Sequence, residues 1–217
     1  MGSATAARTR PAQAQGTRER ILEAALETFS ERGFDGATTR EIAARAGVNV
    51  GLLQYYFGDK PKLWRAAVDR AFGALRAGLR DVLGDAGALD DRERYRLLIR
   101  SYVRFVGRHP EFIRLMHDEG KRPGPRMRWL VDRHVKPIYE TTVEWVRRAQ
   151  RDGHLPATID ALHFYYILVG AVALIFHQAA ECRRLTGRDP ADEAMIEAHA
   201  DALEHLFLGR PAGEGAA

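Results

Sequence analysis

Between Thr38 and Leu63 the chain reads TTREIAARAGVNVGLLQYYFGDKPKL. Side chains that a polyanion would use stand close together there: Tyr55, Tyr56 and Lys60, near the helix start that Asn49 caps. Hydroxyls, cations and helix N-termini bond phosphate oxygens, while amides and guanidinium groups bond base edges in a major groove. Covalent and metal chemistry have no comparable foothold. The chain contains no CxxC, HExxH, GxSxG, GxGxxG or GK(S/T) pattern. The acidic pairs Asp90–Asp91 and Asp118–Glu119 fall in or near predicted loops, and the single cysteine, Cys182, cannot form an internal disulfide. The expectation is a protein with no catalytic residue, no metal and no cofactor.

The elements that must hold these groups follow from apolar spacing. Ile21, Ala25 and Phe29, with Leu22 and Leu26 beside them, predict a helix from Thr17 to Gly33. A short second helix opens at Thr38 or Thr39, carries Ile42, Ala43 and Ala46, and stops at Gly47. A third is capped by Asn49 and runs through Leu53 to about Tyr56. Asp59 caps a fourth, with Pro61 in its first turn, where a missing N–H costs nothing. Two short helices joined at Gly47 make a helix-turn-helix. Asn49 then gives the third helix a defined, outward-facing N-terminus, which a major groove about 12 Å wide can admit. Taken alone, the same spacing also fits an α-hairpin inside a helical bundle.

The rest of the chain is helical in period as well. Breaks at Pro110, at Gly120–Pro125, at Gly153–Pro156 and at Gly187–Pro190 divide it into segments 91–108, 110–119, 124–152, 158–184 and 190–208, the third of them kinked at Pro137. No run alternates as a strand would. The 217 residues are 46% apolar and 29% charged, enough for both a core and a solvated surface, and the net charge of +4 permits an anionic partner without demanding one. Residues 1–16, with Arg8 and Arg10 but no apolar signal region, read as a flexible N-terminal arm, and 210–217 as a flexible tail. The longest apolar run, Tyr165 to Phe176, is too short to cross a bilayer, so a cytoplasmic protein is expected.

The residues Thr39, Ile42-Ala43, Ala46-Gly47-Val48, Gly51, Tyr55, Phe57, Lys60 and Leu63, with Ile21, Ala24-Ala25, Phe29 and Gly33-Phe34 ahead of them, resemble the DNA-binding segment of TetR-type transcriptional regulators over about residues 17–64. The stretches YYFGDKPKLWRAAVD and HPEF…PRMRWLVDRHVKPIYE look like a C-terminal subgroup of that family, without fixing a ligand. The resemblance implies an all-α fold. An N-terminal three-helix helix-turn-helix DNA-binding domain (17–63) would be joined to a six-helix ligand-binding and dimerisation domain (64–209). It further implies that Thr39 caps the second helix and meets phosphate, and that Arg40 reaches the backbone or a base edge. Asn49, Val50, Gly51 and Gln54 face the groove, while Tyr55 or Tyr56 and Lys60 clamp phosphate. Gln54 stands where the family usually carries tyrosine; a glutamine there can pair with adenine or simply face solvent.

One recognition helix reads too few base pairs for useful specificity, so the mechanism calls for a homodimer on double-stranded operator DNA, with half-sites about 34–36 Å apart. Ile167, Gly170, Ala171, Leu174, Ala198, Ala202 and Leu206 are the expected interface, apolar or small and at helical spacing. Aromatic and histidine side chains of the C-terminal half outline a candidate small-molecule effector site: Phe105, His109, Phe112, Met116, His117, Trp129, His134, Tyr139, Phe164, Tyr165 and His177. The function expected is a ligand-responsive repressor. A small helical enzyme and a protein-binding helical adaptor are the other classes the sequence leaves open.

Overall fold

The structure is a computed structural model that describes residues 4–84 and 89–209, with side chains described over 12–81 and 89–209. The predicted tail at 210–217, residues 1–3, and the side chains of Arg8 and Arg10 lie outside these described residues. Among the described residues the secondary structure is helical throughout, with no strand. The helices are α1 (Ala4–Gly36), α2 (Thr39–Arg45), α3 (Val50–Phe57), α4 (Lys60–Gly84), α5 (Asp91–Arg108), α6 (Pro110–Gly120), α7 (Pro125–Leu130), α8 (Lys136–Arg151), α9 (Ala161–His177), α10 (Ala179–Thr186) and α11 (Glu193–Leu208). No single helix among them is long and apolar enough to cross a membrane.

Two compact units divide the chain. The first runs to Ala74 and includes Arg114–Asp118; the second comprises Leu75–Ile113 and the chain from Glu119 on. Trp64, Ala67 and Val68, which the sequence reading assigns to the C-terminal domain, are buried in the first unit. Ile21, Leu22, Ala25 and Phe29 of α1, Ile42 and Ala43 of α2, and Leu53 of α3 complete its core. Phe34 stacks on Phe29 at 5.9 Å and meets Trp64 edge-on at 6.3 Å. Each large side chain so buried is worth about 1.5–3 kcal/mol.

Three predicted boundaries move. α1 opens at Ala4 rather than Thr17, so residues 4–16 of the expected arm are helical; alanine, arginine and glutamine, which dominate that stretch, are strong helix formers and carry the helix through Gly16. Where a kink is expected at Pro137, the chain makes a π-helical turn over Val131–Val135, two residues ahead of the proline. Pro137 has no N–H to give to the carbonyl four residues back, and its ring crowds that carbonyl, so the preceding turn widens. The segment 158–184 is two helices, not one: α9 and α10 meet at Gln178 with a bend of 67°. Gln178 has φ −100°, ψ 34°, and no glycine or proline marks the bend in the sequence.

Within the second unit α5 and α11 are joined by a ladder of charge. Arg96, Arg100, Arg104 and Arg108 recur every fourth residue on α5, opposite Glu193, Glu197, Asp201 and Glu204 of α11. Arg100 donates to Glu197 at 2.8 Å and to Glu204 at 3.0 Å, and also pairs with Asp201. Arg104 donates to Glu197 at 2.7 Å. The hydrogen bond from Arg104, reinforced by the charges of Arg104 and Arg100, holds the Glu197 carboxyl down to about 2. The helices also approach closely at Gly107, where a Cβ would stand 2.7 Å from Ile196 Cγ1 and 3.0 Å from Phe176 Cε1.

Candidate nucleic-acid interface

Short helices need their ends satisfied, and the segment that carries the interface does this locally. Thr38 Oγ1 accepts from the Glu41 N–H at 3.1 Å and caps α2. The cap is therefore Thr38 and not Thr39, which is the first residue inside the helix: Thr38 has the extended backbone (φ −119°, ψ 147°) that a capping side chain requires. Asn49 Oδ1 accepts from the Leu52 N–H at 2.8 Å and caps α3. Asp59 Oδ1 accepts from the Lys62 N–H at 2.8 Å at the start of α4, and that bond, with the Lys62 charge, lowers its carboxyl below the usual range. Between α2 and α3, Gly47 takes φ +66°, a left-handed conformation that a side chain would strain.

α2 is also braced from outside. Arg45 donates to both carboxylate oxygens of Glu31, at 2.7 and 3.1 Å, and to Glu27 at 3.4 Å. The bond from Arg45 lowers the Glu31 carboxyl. Arg32 reaches Glu41 at 3.4 Å. The apolar side of α3, Leu53 and Phe57, is buried, and the Arg18 guanidinium sits over the Phe57 ring at 5.5 Å. On the other side Asn49, Gly51, Gln54 and Tyr55 are exposed, Tyr55 at 82%, with Val50 and Tyr56 half-buried. The Tyr55 and Tyr56 rings meet edge-on at 5.6 Å. Arg40 is exposed and Thr39 half-buried on α2. Lys60 is drawn inward: its Nζ lies 4.6 Å from the Phe34 ring centroid and donates to the Asp35 carbonyl at 3.4 Å. Among the described residues, the outer side of α3 thus carries no neighbouring segment of the first unit.

In the second unit the residues expected to line an effector site form several aromatic groups. Phe105 contacts Phe112 at 5.3 Å and His109 at 4.7 Å. Trp129 meets His134 edge-on at 5.4 Å, and Arg76 Nη1 donates to His134 Nδ1 at 3.1 Å. Tyr139 meets Tyr165 at 5.0 Å, and Phe164 packs on Phe207 at 5.3 Å. Met116 and His117 belong instead to Arg114–Asp118 of the first unit. His177, the last residue of α9, is half-buried. Two groups in this region escape sequence reasoning. Tyr102 has its phenol pushed up by burial, and Glu119, read as a loop acid, is buried and accepts from Arg126 at 3.0 Å. Neither carries a local signal, because burial and a partner seven residues away depend on the fold.

A third surface is apolar. Ile167 and Leu174 of α9 and Leu206 of α11 are exposed at 50–69%, with Gly170, Ala198 and Ala202 exposed beside them. Ala171 is half-buried, its carbonyl accepting from His199 Nε2 at 3.0 Å. Leu162 and Tyr166 of α9 and Leu185 of α10 extend this surface beyond the predicted set. A groove of about 500 Å³ runs along it, lined by Gly170, Leu174, Gln178, Cys182 and Leu185 among others.

A capped helix-turn-helix followed by a larger helical body defines a class of transcriptional regulator, and comparison with known proteins agrees. Residues 21–67 match the bacterial regulatory proteins of the tetR family, and residues 92–205 match the tetracyclin repressor-like C-terminal domain. The chain belongs to the TetR family of transcriptional regulators. It is 30% identical over 115 residues to the transcriptional repressor NicS of Pseudomonas putida, a match spanning 53% of each chain, about half the length of that relative. It is 26% identical over 196 residues to the transcriptional activator FasR of Mycolicibacterium smegmatis, covering 89% of this chain and 85% of that one. Among solved structures, AibR in complex with isovaleryl coenzyme A and operator DNA superposes with a TM-score of 0.66 at 20% identity, over 90% of this chain and 100% of that one. FadR of Bacillus subtilis in complex with stearoyl-CoA gives 0.65 at 16% identity, over 89% and 99%. The family and these relatives are regulators and not enzymes, which sets aside the helical enzyme that the sequence leaves open.

Proposed function

We propose that this regulator is a cytoplasmic repressor that binds a pseudo-palindromic operator as a homodimer and is released by a small-molecule effector. The observation that carries this reading is where exposed apolar surface lies. Of the seven large hydrophobic side chains exposed among the described residues, six (Leu162, Tyr166, Ile167, Leu174, Leu185 and Leu206) stand on α9, α10 and α11, and the seventh is Tyr55 on α3. Apolar side chains gathered on one surface mark an interface, and those on α9–α11 suit a second copy of the chain. Tyr55 suits a phosphate or a base edge. Thr39, Arg40, Asn49, Val50, Gly51, Gln54, Tyr55, Tyr56 and Lys60 form the proposed DNA-binding set, with Lys60 turning from Phe34 toward phosphate when DNA is bound.

The effector we propose is an acyl-CoA or a similarly acidic, apolar molecule held in the second unit among Phe105, His109, Phe112, Trp129, His134, Tyr139, Phe164, Tyr165 and His177. The acyl-CoA complexes of AibR and FadR support this choice of class. Release requires only that the ligand bind the DNA-incompetent state better, with coupling of about 1–3 kcal/mol.

Fluorescence anisotropy on duplex recovered from a random pool tests the whole reading. Binding should weaken steeply with salt, and Lys60→Ala should lower the slope of log K against log[salt] by about 1 on every sequence. Isovaleryl-CoA or stearoyl-CoA should weaken binding about 5- to 150-fold. Salt-independent binding overturns the DNA interface. Unchanged affinity in the presence of bound acyl-CoA, with binding shown by calorimetry, overturns the release mechanism.

A further inference from the structure

We propose that Gln54 reads an adenine in the major groove and is the residue of α3 that sets base preference at one position of each half-site. This rests on the DNA-binding reading above. An adenine offers a major-groove edge with an acceptor, N7, beside a donor, the N6 amino group. Recognising both at once takes a side chain with a donor and an acceptor in one plane, neither committed elsewhere.

The exposed polar groups of the interface can be tested against that requirement one at a time. Asn49 has the right amide, but its oxygen is held 2.8 Å from the Leu52 N–H as the helix cap. Arg40 is donor-only and suits guanine or phosphate. Tyr55 offers a single hydroxyl. Thr39 is half-buried, and Lys60 is turned onto Phe34 and the Asp35 carbonyl. Gln54 is exposed, and its side-chain amide makes no hydrogen bond within the described residues.

Its surroundings favour the same role. Residues three and four apart share a helix face, so Val50 and Gly51 lie on the turn before Gln54 along its stripe. Gly51 has no side chain to fill the space above the backbone, and Val50 is half-buried. A helical side chain leans toward the helix N-terminus, over the turn before it. From that position a glutamine amide can reach over the backbone of Gly51, toward the N-terminal end of α3. A side chain at position 51 would occupy that place, and its Cβ alone would press the Asn49 cap at 3.3 Å. The glycine leaves the helix end open to a base pair, and the glutamine is the amide that reaches across it.

The test is selection of binding sites from duplexes with a randomised central segment, using the purified full chain as wild type, Gln54→Ala and Gln54→Glu. Wild-type sites should carry an A·T pair at one fixed position of each half-site, preferred roughly 5- to 150-fold over the other pairs, as one bidentate contact provides. Gln54→Ala should make that position degenerate, with every other position and the salt slope unchanged. Gln54→Glu should move the preference toward cytosine, whose N4 amino group donates to a carboxylate. Thermal unfolding checks that the variants fold; an exposed substitution of this kind should leave the melting temperature close to that of wild type. Selection of the same sites by Gln54→Ala overturns the proposal. So does a uniform loss of affinity on all sequences with a shallower salt slope, which is the signature of a phosphate contact. If wild type retains no duplex at any salt concentration, the DNA-binding reading falls and this inference falls with it.

Discussion

In the first unit, helices of seven and eight residues rest on an apolar core and are each held by a capping side chain, whereas in the second, α5 and α11, at 18 and 16 residues, are fastened to each other by rows of arginine and carboxylate. The contrast follows from length. A helix shorter than about 12–15 residues is marginal alone, so α2 and α3 depend on Thr38, Asn49 and the core beneath them. A long helix has a full side to pair, and charge at every fourth residue fixes its register against a neighbour. The first arrangement gives a stiff, small surface whose geometry is set within a few residues of sequence. The second leaves Ala198, Ala202 and Leu206 of α11 exposed among the described residues.

Three substitutions would break or sharpen that contrast, in descending order of effect. Gly107→Ala should destabilise the chain by about 1–3 kcal/mol, because the new methyl group meets Ile196 and Phe176 in a packed junction. Thermal unfolding would register it, and Ile196→Val in the same chain should recover part of the loss; full stability in the single variant would show that the two helices have room to move apart. Asn49→Ala should cost about 1 kcal/mol through loss of the α3 cap, and Asn49→Ser should restore most of it. Hydrogen exchange of the Leu52 amide reports this directly, and an unchanged exchange rate would mean that the cap does not support the helix.

The smallest effect concerns the ladder. The Glu197 carboxyl titrates near 2 in the folded chain against 4.5 as its ordinary value. A carboxyl held low in this way adds stability that is fully present above about 4.5 and is lost as the pH falls toward 2. Because the side chains are partly exposed, the contribution should be no more than about 1 kcal/mol. Denaturant titrations of wild type and Glu197→Gln should differ near pH 7 and converge only as the pH falls to about 2; parallel curves across that window would remove the ladder from the stability of the second unit.

How far the sequence could be read follows the same division. The helix-turn-helix was legible because its signals are local: Thr38, Gly47, Asn49 and Asp59 each act within three or four residues of where they stand. Even there, Thr38 rather than Thr39 makes the cap, since adjacent threonines differ only in backbone conformation. α1 extends to Ala4 because Gly16 and Thr17 resemble a helix start without forming one. In the second unit the partners lie far apart in the chain: Arg100 and Glu197 are 97 residues apart, and Arg108 and Glu193 are 85 apart. No pattern within one window couples such pairs. The bend at Gln178 carries neither glycine nor proline to mark it in the sequence.

The fastening of α11 also bears on how copies of the chain would come together. Its carboxylates are occupied by α5 of the same chain, while Ala198, Ala202 and Leu206 stand open on another side. The helix is thus secured before any encounter with a second copy. The pairing proposed above would then be a meeting of finished surfaces, adjustable by concentration, with neither copy having to unravel when they part.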